Sequence, residues 1–177
     1  MYDLIIVGGG IAGVTAAIYA ARKEMKFAII SPEFGGEIVN TTFVENWPGI
    51  KSISGIELAD SYVEHMKSLN VEIIEDKVIE VKHNNNFIIT TSKGIYESKI
   101  LIWATGSKYR ELHIPGEEKL KGRGVTYCSI CDGPIFKNKT VAVVGAGNVG
   151  LNVTVTIADP LDANVIGKLA ILQIPIC

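Results

Sequence analysis

Glycines recur in the spacing Gly-x-Gly-x-x-Gly at two places, Gly8-Gly9-Gly10-Ile11-Ala12-Gly13 and Gly145-Ala146-Gly147-Asn148-Val149-Gly150. The first group lies between an apolar run, Tyr2 to Val7, and an Ala-rich segment of helical character, Ile11 to Arg22. Another apolar run follows at Lys26 to Ile30. Strand, glycine turn, helix and second strand within about 30 residues make a dinucleotide-binding unit. The glycines allow a tight turn, close approach of backbone to a pyrophosphate, and close helix–strand packing. The helix amino terminus then offers free N–H groups and the positive end of its dipole to the phosphates. Gly8, Gly10 and Gly13 are therefore candidate ligand contacts. A plain glycine turn in a parallel α/β sheet is the competing reading, and the clean strand and helix on either side favour the first. An acid for the ribose falls about 20 residues after such a fingerprint. Glu33 stands there, just past the second strand, and a solvated surface glutamate is its alternative.

Between the fingerprints sits Cys128-Ser129-Ile130-Cys131-Asp132. A Cys-x-x-Cys spacing lowers a thiol pKa and suits a redox dithiol, because the thiolate is the reactive form. Zinc is the other use of this spacing, but a closed zinc site needs four ligands. Here no second pair of cysteines exists, and His65, His83 and His113 are scattered. No metal is expected. Disulfide exchange needs an acid to protonate the leaving sulfur. Asp132 is placed for that role, with a helix cap or a plain surface charge as alternatives.

The chain has 177 residues, 47% hydrophobic and 20% charged, which reads as globular rather than disordered. A net charge of −2 gives no reason to expect nucleic acid or an anionic membrane as partner. The longest apolar runs are of strand length, well short of the roughly 18 residues of a membrane span. Met1-Tyr2-Asp3 carries no basic n-region, so the expected location is cytoplasmic.

Periodicity predicts a helix over Ile53 to Leu69, with Ile56, Ala59, Val63 and Met66 as its core stripe. Val71 to Ile74 reads as a strand. Val78 to Val81 and Phe87 to Thr91 flank the turn Asn84-Asn85-Asn86 as a hairpin. Ile95 to Tyr96 and Ile100 to Trp103 continue in strand character up to Ala104-Thr105-Gly106. Thr140 to Val144 is the strand of the second fingerprint. There the pattern breaks, because only Leu151 and Asn152 separate Gly150 from the β-branched run Val153 to Ile157. A parallel crossover needs a dozen or more residues, usually helical. The second unit is thus expected not to close as the first does, with a helix missing. The apolar end, Ala170 to Cys177, has no clear partner.

Together with Gly35-Gly36-Glu37, Glu45-Asn46-Trp47-Pro48-Gly49, Val125-Thr126-Tyr127-Cys128 and Cys131-Asp132-Gly133, these motifs resemble the low-molecular-weight thioredoxin reductases. They are similar nearly as well to the flavoprotein component of alkyl hydroperoxide reductase. The similarity runs over residues 1 to about 150. It implies an α/β protein, with a Rossmann-like FAD-binding domain (1–115, lacking its usual carboxy-terminal segment). An incomplete second Rossmann-like NAD(P)-binding domain (116–177) follows and carries the dithiol. By position, Gly8, Gly10, Gly13 and Glu33 would hold FAD, Gly36 and Asn46 would line its flavin side, and Thr105 and Gly106 would pass beneath it. Glu37 replaces the family's usual glutamine, and a carboxylate lacks the amide's donors. Gly145, Gly147, Asn148 and Gly150 would face NAD(P)H. Cys131 would be the thiol nearest the flavin, Cys128 the nucleophile toward a partner disulfide, and Asp132 the proton shuttle. The implied partner is a thioredoxin-like or peroxiredoxin-linked protein disulfide, and the family forms homodimers.

The chain also departs from the family. No Arg follows Arg123, so the basic cluster for an NADPH 2′-phosphate has no counterpart; Asp159, after the run Val153 to Ile157, is one candidate for the free 2′-hydroxyl of NADH, and the sequence does not fix NADH against NADPH. No Gly-Asp dipeptide occurs, although the family carries one near the flavin. The chain therefore reads as an NAD(P)H-dependent flavin disulfide oxidoreductase or as a non-catalytic fragment of one.

Overall fold

From Leu4 to Val7 every residue of β1 (Tyr2–Gly9) is buried, on alternating faces. A strand buried on both faces needs a layer on each, which is why this run shows no polar alternation. The structure, a computed structural model, describes residues 1–108, 111–121, 123–128, 136, 140–144 and 170–172. The chain divides into two compact units, Met1–Lys108 and Tyr109–Cys177.

In the first unit, α1 (Ile11–Arg22) turns Val14, Ala17 and Ala20 onto the sheet. β2 (Phe27–Phe34) runs parallel to β1, with Leu4 opposite Phe27 and Val7 opposite Ile30. This strand is longer than the sequence suggests, so Glu33 lies inside it rather than past it. The cause is Ser31. Its hydroxyl accepts the Gly9 N–H at 2.9 Å and donates to the Glu33 carbonyl at 2.6 Å. The side chain carries the strands across the register shift between Val7 and Gly9, and pairing resumes at Gly9 opposite Phe34.

α2 (Gly55–Ser68) starts at a capping box: Ser54 Oγ accepts the Glu57 N–H, and Glu57 accepts the Ser54 N–H, both at 3.1 Å. Its buried face is Gly55, Leu58, Ala59, Tyr62 and Met66. The expected stripe is corrected at Ile56, which is 61% exposed, and Leu58 and Tyr62 take the core in its place. Helix spacing admits both stripes, and the capped start fixes the rotation that buries Leu58.

β3 (Glu72–Glu75) pairs parallel to β2. β4 (Val78–His83), β5 (Phe87–Thr91) and β6 (Ile95–Trp103) form an antiparallel meander. β6 then pairs parallel to β1, which gives the order β3-β2-β1-β6-β5-β4. One core packs Leu4, Ile6 and Ile29 against α1 and α2, and a second gathers Ile5, Val7, Ile30 and Ile89.

Asp76 ties the β3–β4 turn to the β5–β6 turn. Its carboxylate takes the Lys77 N–H at 2.8 Å, the Lys93 N–H at 2.9 Å and the Ser92 hydroxyl. Burial opposes the charge, but these hydrogen bonds outweigh it and hold the carboxyl well below the usual carboxylate range. A carboxyl lowered on folding stabilises above its unfolded pKa, near 4, and loses that stabilisation as pH falls through the folded value. Asp76→Asn is therefore expected to lower the melting temperature by on the order of 5 °C at neutral pH. The gap to the parent should narrow in melts below about pH 4. A gap of constant size down to pH 3 would remove the carboxylate charge as its cause.

In the second unit, α3 (Glu117–Leu120) is a single turn. β7 (Ala142–Val144) pairs parallel with β8 (Ala170–Leu172). Ala170–Leu172 thus have a partner, contrary to the sequence expectation, and 173–177 lie outside the described residues. Residues 145–169 connect the two strands, more than the dozen that a parallel crossover needs. The expected strand Val153 to Ile157, and the missing helix before it, fall outside the described residues. Among the described residues, no helix is long and apolar enough to cross a membrane.

Candidate functional site

β1 has β2 on one side and β6 on the other, all three parallel, so the chain leaves the carboxyl end of β1 beside a change in strand order. In open α/β sheets that place opens the crevice where ligands bind. The carboxyl ends here are Gly8-Gly9, Ser31 to Phe34, and Trp103 leading into Ala104-Thr105-Gly106.

The glycines at this end answer to different demands. Gly8 has φ +116°, and a Cβ there would lie 2.1 Å from the Ala104 carbonyl oxygen. A Cβ on Gly13 would lie 1.9 Å from the Gly8 carbonyl oxygen, so α1 packs onto β1 backbone to backbone. Gly10 differs, because a Cβ there would meet nothing nearer than Gly36 Cα at 3.9 Å. Packing among the described residues does not require glycine at position 10. A ligand lying over the helix terminus would.

That terminus suits an anion. Gly10 is the N-cap, no side chain caps α1, and its first turn holds no acidic residue. Its first N–H groups lack the side-chain acceptor that most helices supply. The open cradle between Gly10 and Gly36 and the uncapped dipole together fit the pyrophosphate of a dinucleotide such as FAD.

Gly8, Gly10, Gly13, Gly36 and Thr105 are brought together here, with Gly36 Cα next to Gly10 and Thr105 Cα next to Gly8. Gly106 is an exposed left-handed residue, φ +67°. Glu33 is exposed at the end of β2, and its carboxylate lies 3.6 Å from Lys108 Nζ, beyond β6. Glu37 is exposed in the 3-10 turn Gly36–Asn40 and accepts Asn40 Nδ2 at 3.4 Å. Asn46 stands on the exposed loop between that turn and α2, and no described contact ties it to the glycine cluster. Two residues that sequence reasoning did not single out also shape the crevice. Ser31 clasps β1 to β2. A Cβ on Gly9 would lie 2.5 Å from the Glu33 carbonyl oxygen. Gly9 lies inside the fingerprint but at one of its variable positions, and Ser31 carries no motif signal.

In the second unit, Cys128 is half-buried and disulfide-bonded, and its N–H donates to Thr126 Oγ1 at 3.3 Å. Glu117 is buried and accepts the Leu112 N–H at 2.9 Å, the Ile114 N–H at 3.3 Å and the Tyr127 hydroxyl. The Tyr127 bond, first, and the backbone bonds hold the Glu117 carboxyl below its usual range, while the same bond and burial push the Tyr127 phenol up to about 12. Cys131, Asp132, Gly145, Gly147, Asn148, Gly150 and Asp159 lie outside the described residues. Among the described residues, no three His, Cys, Asp or Glu side chains converge to hold a metal ion.

The family model of the pyridine nucleotide-disulphide oxidoreductases matches residues 2–167. A 34.2 kDa protein in the rubredoxin operon of Clostridium pasteurianum is 47% identical over 149 residues, 82% of this chain and 48% of that one. The F component of the alkyl hydroperoxide reductase of Escherichia coli is 39% identical over 163 residues, 89% of this chain and 31% of that one. An NADH dehydrogenase of Bacillus subtilis is 36% identical, again over 89% of this chain and 31% of its own. Among solved structures, thioredoxin reductase from Streptococcus pyogenes superposes with a TM-score of 0.80 at 36% identity, covering 98% of this chain and 64% of that one. The chain thus spans 31% to 48% of the length of these curated relatives.

Proposed function

Because the chain belongs to the pyridine nucleotide-disulphide oxidoreductases, whose members use FAD and NAD(P)H, we propose that it forms the flavin-binding and dithiol-bearing part of a disulfide reductase. Residues 1–115 are its FAD domain and 116–177 a partial NAD(P)H domain. The observation that carries this reading is the cradle between Gly10 and Gly36 over the uncapped start of α1.

Within it, the N–H groups at the start of α1 hold the pyrophosphate. Glu33 accepts from the ribose hydroxyls, with Lys108 Nζ 3.6 Å from its carboxylate. Gly36, Glu37 and Asn46 edge the flavin, and Thr105 and Gly106 pass under it. When bound, FAD would supply two-electron chemistry between a reduced nicotinamide and a disulfide. Two-electron reduction opens the Cys128–Cys131 bond, with Cys131 as the thiol nearer the flavin side. Cys128 then attacks a partner disulfide, forming a mixed disulfide and expelling a thiolate that Asp132 protonates. Cys131 resolves the mixed disulfide, which releases the reduced partner and restores the Cys128–Cys131 bond. Gly145, Gly147, Asn148 and Gly150 serve the nicotinamide nucleotide. In the whole protein the partner is a thioredoxin-like disulfide protein, the assembly is a homodimer, and the location is the cytoplasm. Kinship to the F component of alkyl hydroperoxide reductase supports a second acceptor, a peroxiredoxin-linked disulfide, and acceptor preference separates the two.

Incubation with FAD, gel filtration and a visible spectrum test the cradle. The parent chain should co-elute with flavin. Gly10→Ala, which among the described residues makes only an ordinary contact with Gly36 Cα, should keep its melting temperature and lose about tenfold or more in affinity, the scale of one misplaced methyl group. A flavin-free parent peak would overturn FAD binding by this chain and leave a non-catalytic fragment.

A further inference from the structure

The segment leading to Cys128 is braced more heavily than a linker of its length needs. From α3 the chain turns back, with the Arg123 N–H bonded to the Leu120 carbonyl at 2.8 Å and the Val125 N–H to the same carbonyl at 2.9 Å. Tyr127, next to the cysteine, is held by Glu117 and Lys121. Its hydroxyl donates to the buried Glu117 carboxylate, and Lys121 Nζ sits 5.6 Å from its ring centroid. Lys121 is itself paired with Glu111 at 3.2 Å. Glu117 is fixed in turn by the N–H groups of Leu112 and Ile114. None of these side chains is a thiol or an acid of the proposed exchange.

We propose that Glu117 and Tyr127 form a positioning clamp that holds Cys128 in its disulfide-bonded geometry and so biases the dithiol–disulfide equilibrium toward the disulfide. The proposal rests on reading Cys128 as a redox thiol. Closing a disulfide is intramolecular, so its equilibrium follows the effective concentration of one thiol at the other. A charge-assisted phenol–carboxylate bond one residue away limits how far Cys128 strays once reduced. Without it, the dithiol gains freedom and the disulfide becomes easier to reduce.

The test is equilibration of the full chain in glutathione buffers, two glutathiones giving one glutathione disulfide for each protein disulfide opened. Alkylation and mass spectrometry read the result. Tyr127→Phe removes only the hydroxyl and keeps every charge. Its oxidation equilibrium constant should fall about tenfold, the scale of one charge-assisted hydrogen bond, or about 30 mV. Glu117→Gln should give a similar fall, and the double variant little more than either single one. Constants within about twofold of the parent would overturn the proposal, and so would a lowered melting temperature with an unmoved constant, which marks a purely structural tie. A parent chain with no reversible dithiol would instead overturn the redox reading of Cys128, and the clamp with it.

Discussion

Gly13→Ala is expected to melt the amino-terminal unit about 15 °C below the parent, the consequence of about 3 kcal/mol of overpacking in a unit of this size. The added methyl carbon would sit 1.9 Å from the Gly8 carbonyl oxygen. Neither atom belongs to a flexible side chain, so relief comes only by lifting α1 away from β1. That shift would loosen Val14, Ala17 and Ala20, which are at most 3% exposed. Thermal melts followed by far-ultraviolet circular dichroism read the effect. A melt within about 2 °C of the parent would mean that α1 slides without loss, and the close approach at Gly13 would lose its significance. Gly10→Ala is the matched control, since it adds the same methyl group at ordinary contact distance, 3.9 Å from Gly36 Cα.

Cys131→Ser and Cys128→Ser are expected to separate completely in their reaction with a protein disulfide. With Cys131 replaced, the Cys128 thiolate attacks and nothing resolves the product, so a covalent mixed disulfide accumulates. With Cys128 replaced, the trapped species should fall by about a thousandfold or vanish, because the hydroxyl of serine is no nucleophile toward sulfur at neutral pH. Non-reducing electrophoresis of the reduced chains mixed with a thioredoxin-type disulfide gives the answer directly. Trapping by Cys128→Ser and none by Cys131→Ser would reverse the two roles. Trapping that disappears only with Cys177→Ser would move the chemistry to the carboxyl end.

What could be read from residues alone was local. The apolar run before Gly8, the Ala-rich run after it and the asparagine turn before Phe87 each report their own conformation, and β1, α1 and the meander stand where those signals lie. The rotation of α2 was harder, because Ile56 and Leu58 both fit a helical stripe. The deciding signal, Ser54 followed three residues later by Glu57, is a cap rather than a hydrophobic pattern. The extension of β2 to Phe34 depends on one serine hydroxyl reaching the Gly9 N–H, and Pro32 in that stretch argues for a turn. The pairing of Ala170–Leu172 with Ala142–Val144 joins distant residues, and no periodicity reports a long-range partner. Within the crevice, the glycines were legible as a motif, but spacing could not tell Gly13, which packing demands, from Gly10, which it does not.

The position of β1 also bears on the order in which the unit is built. Within its own six-stranded sheet, Tyr2–Gly9 emerges from synthesis before the other five strands. One of its edges finds β2 within a few tens of residues, while the other waits for Ile95–Trp103. Until that strand arrives, the central strand of the sheet keeps a bare apolar edge, a template for wrong pairing. The crevice has the same history, because its third wall is the segment that follows β6. Early helix–strand packing around α1 can therefore precede nucleotide capture, and capture becomes possible only at the closing, high-contact-order step of folding. A ligand that binds at that step draws the last strand into place by mass action and shortens the time its neighbour stands exposed.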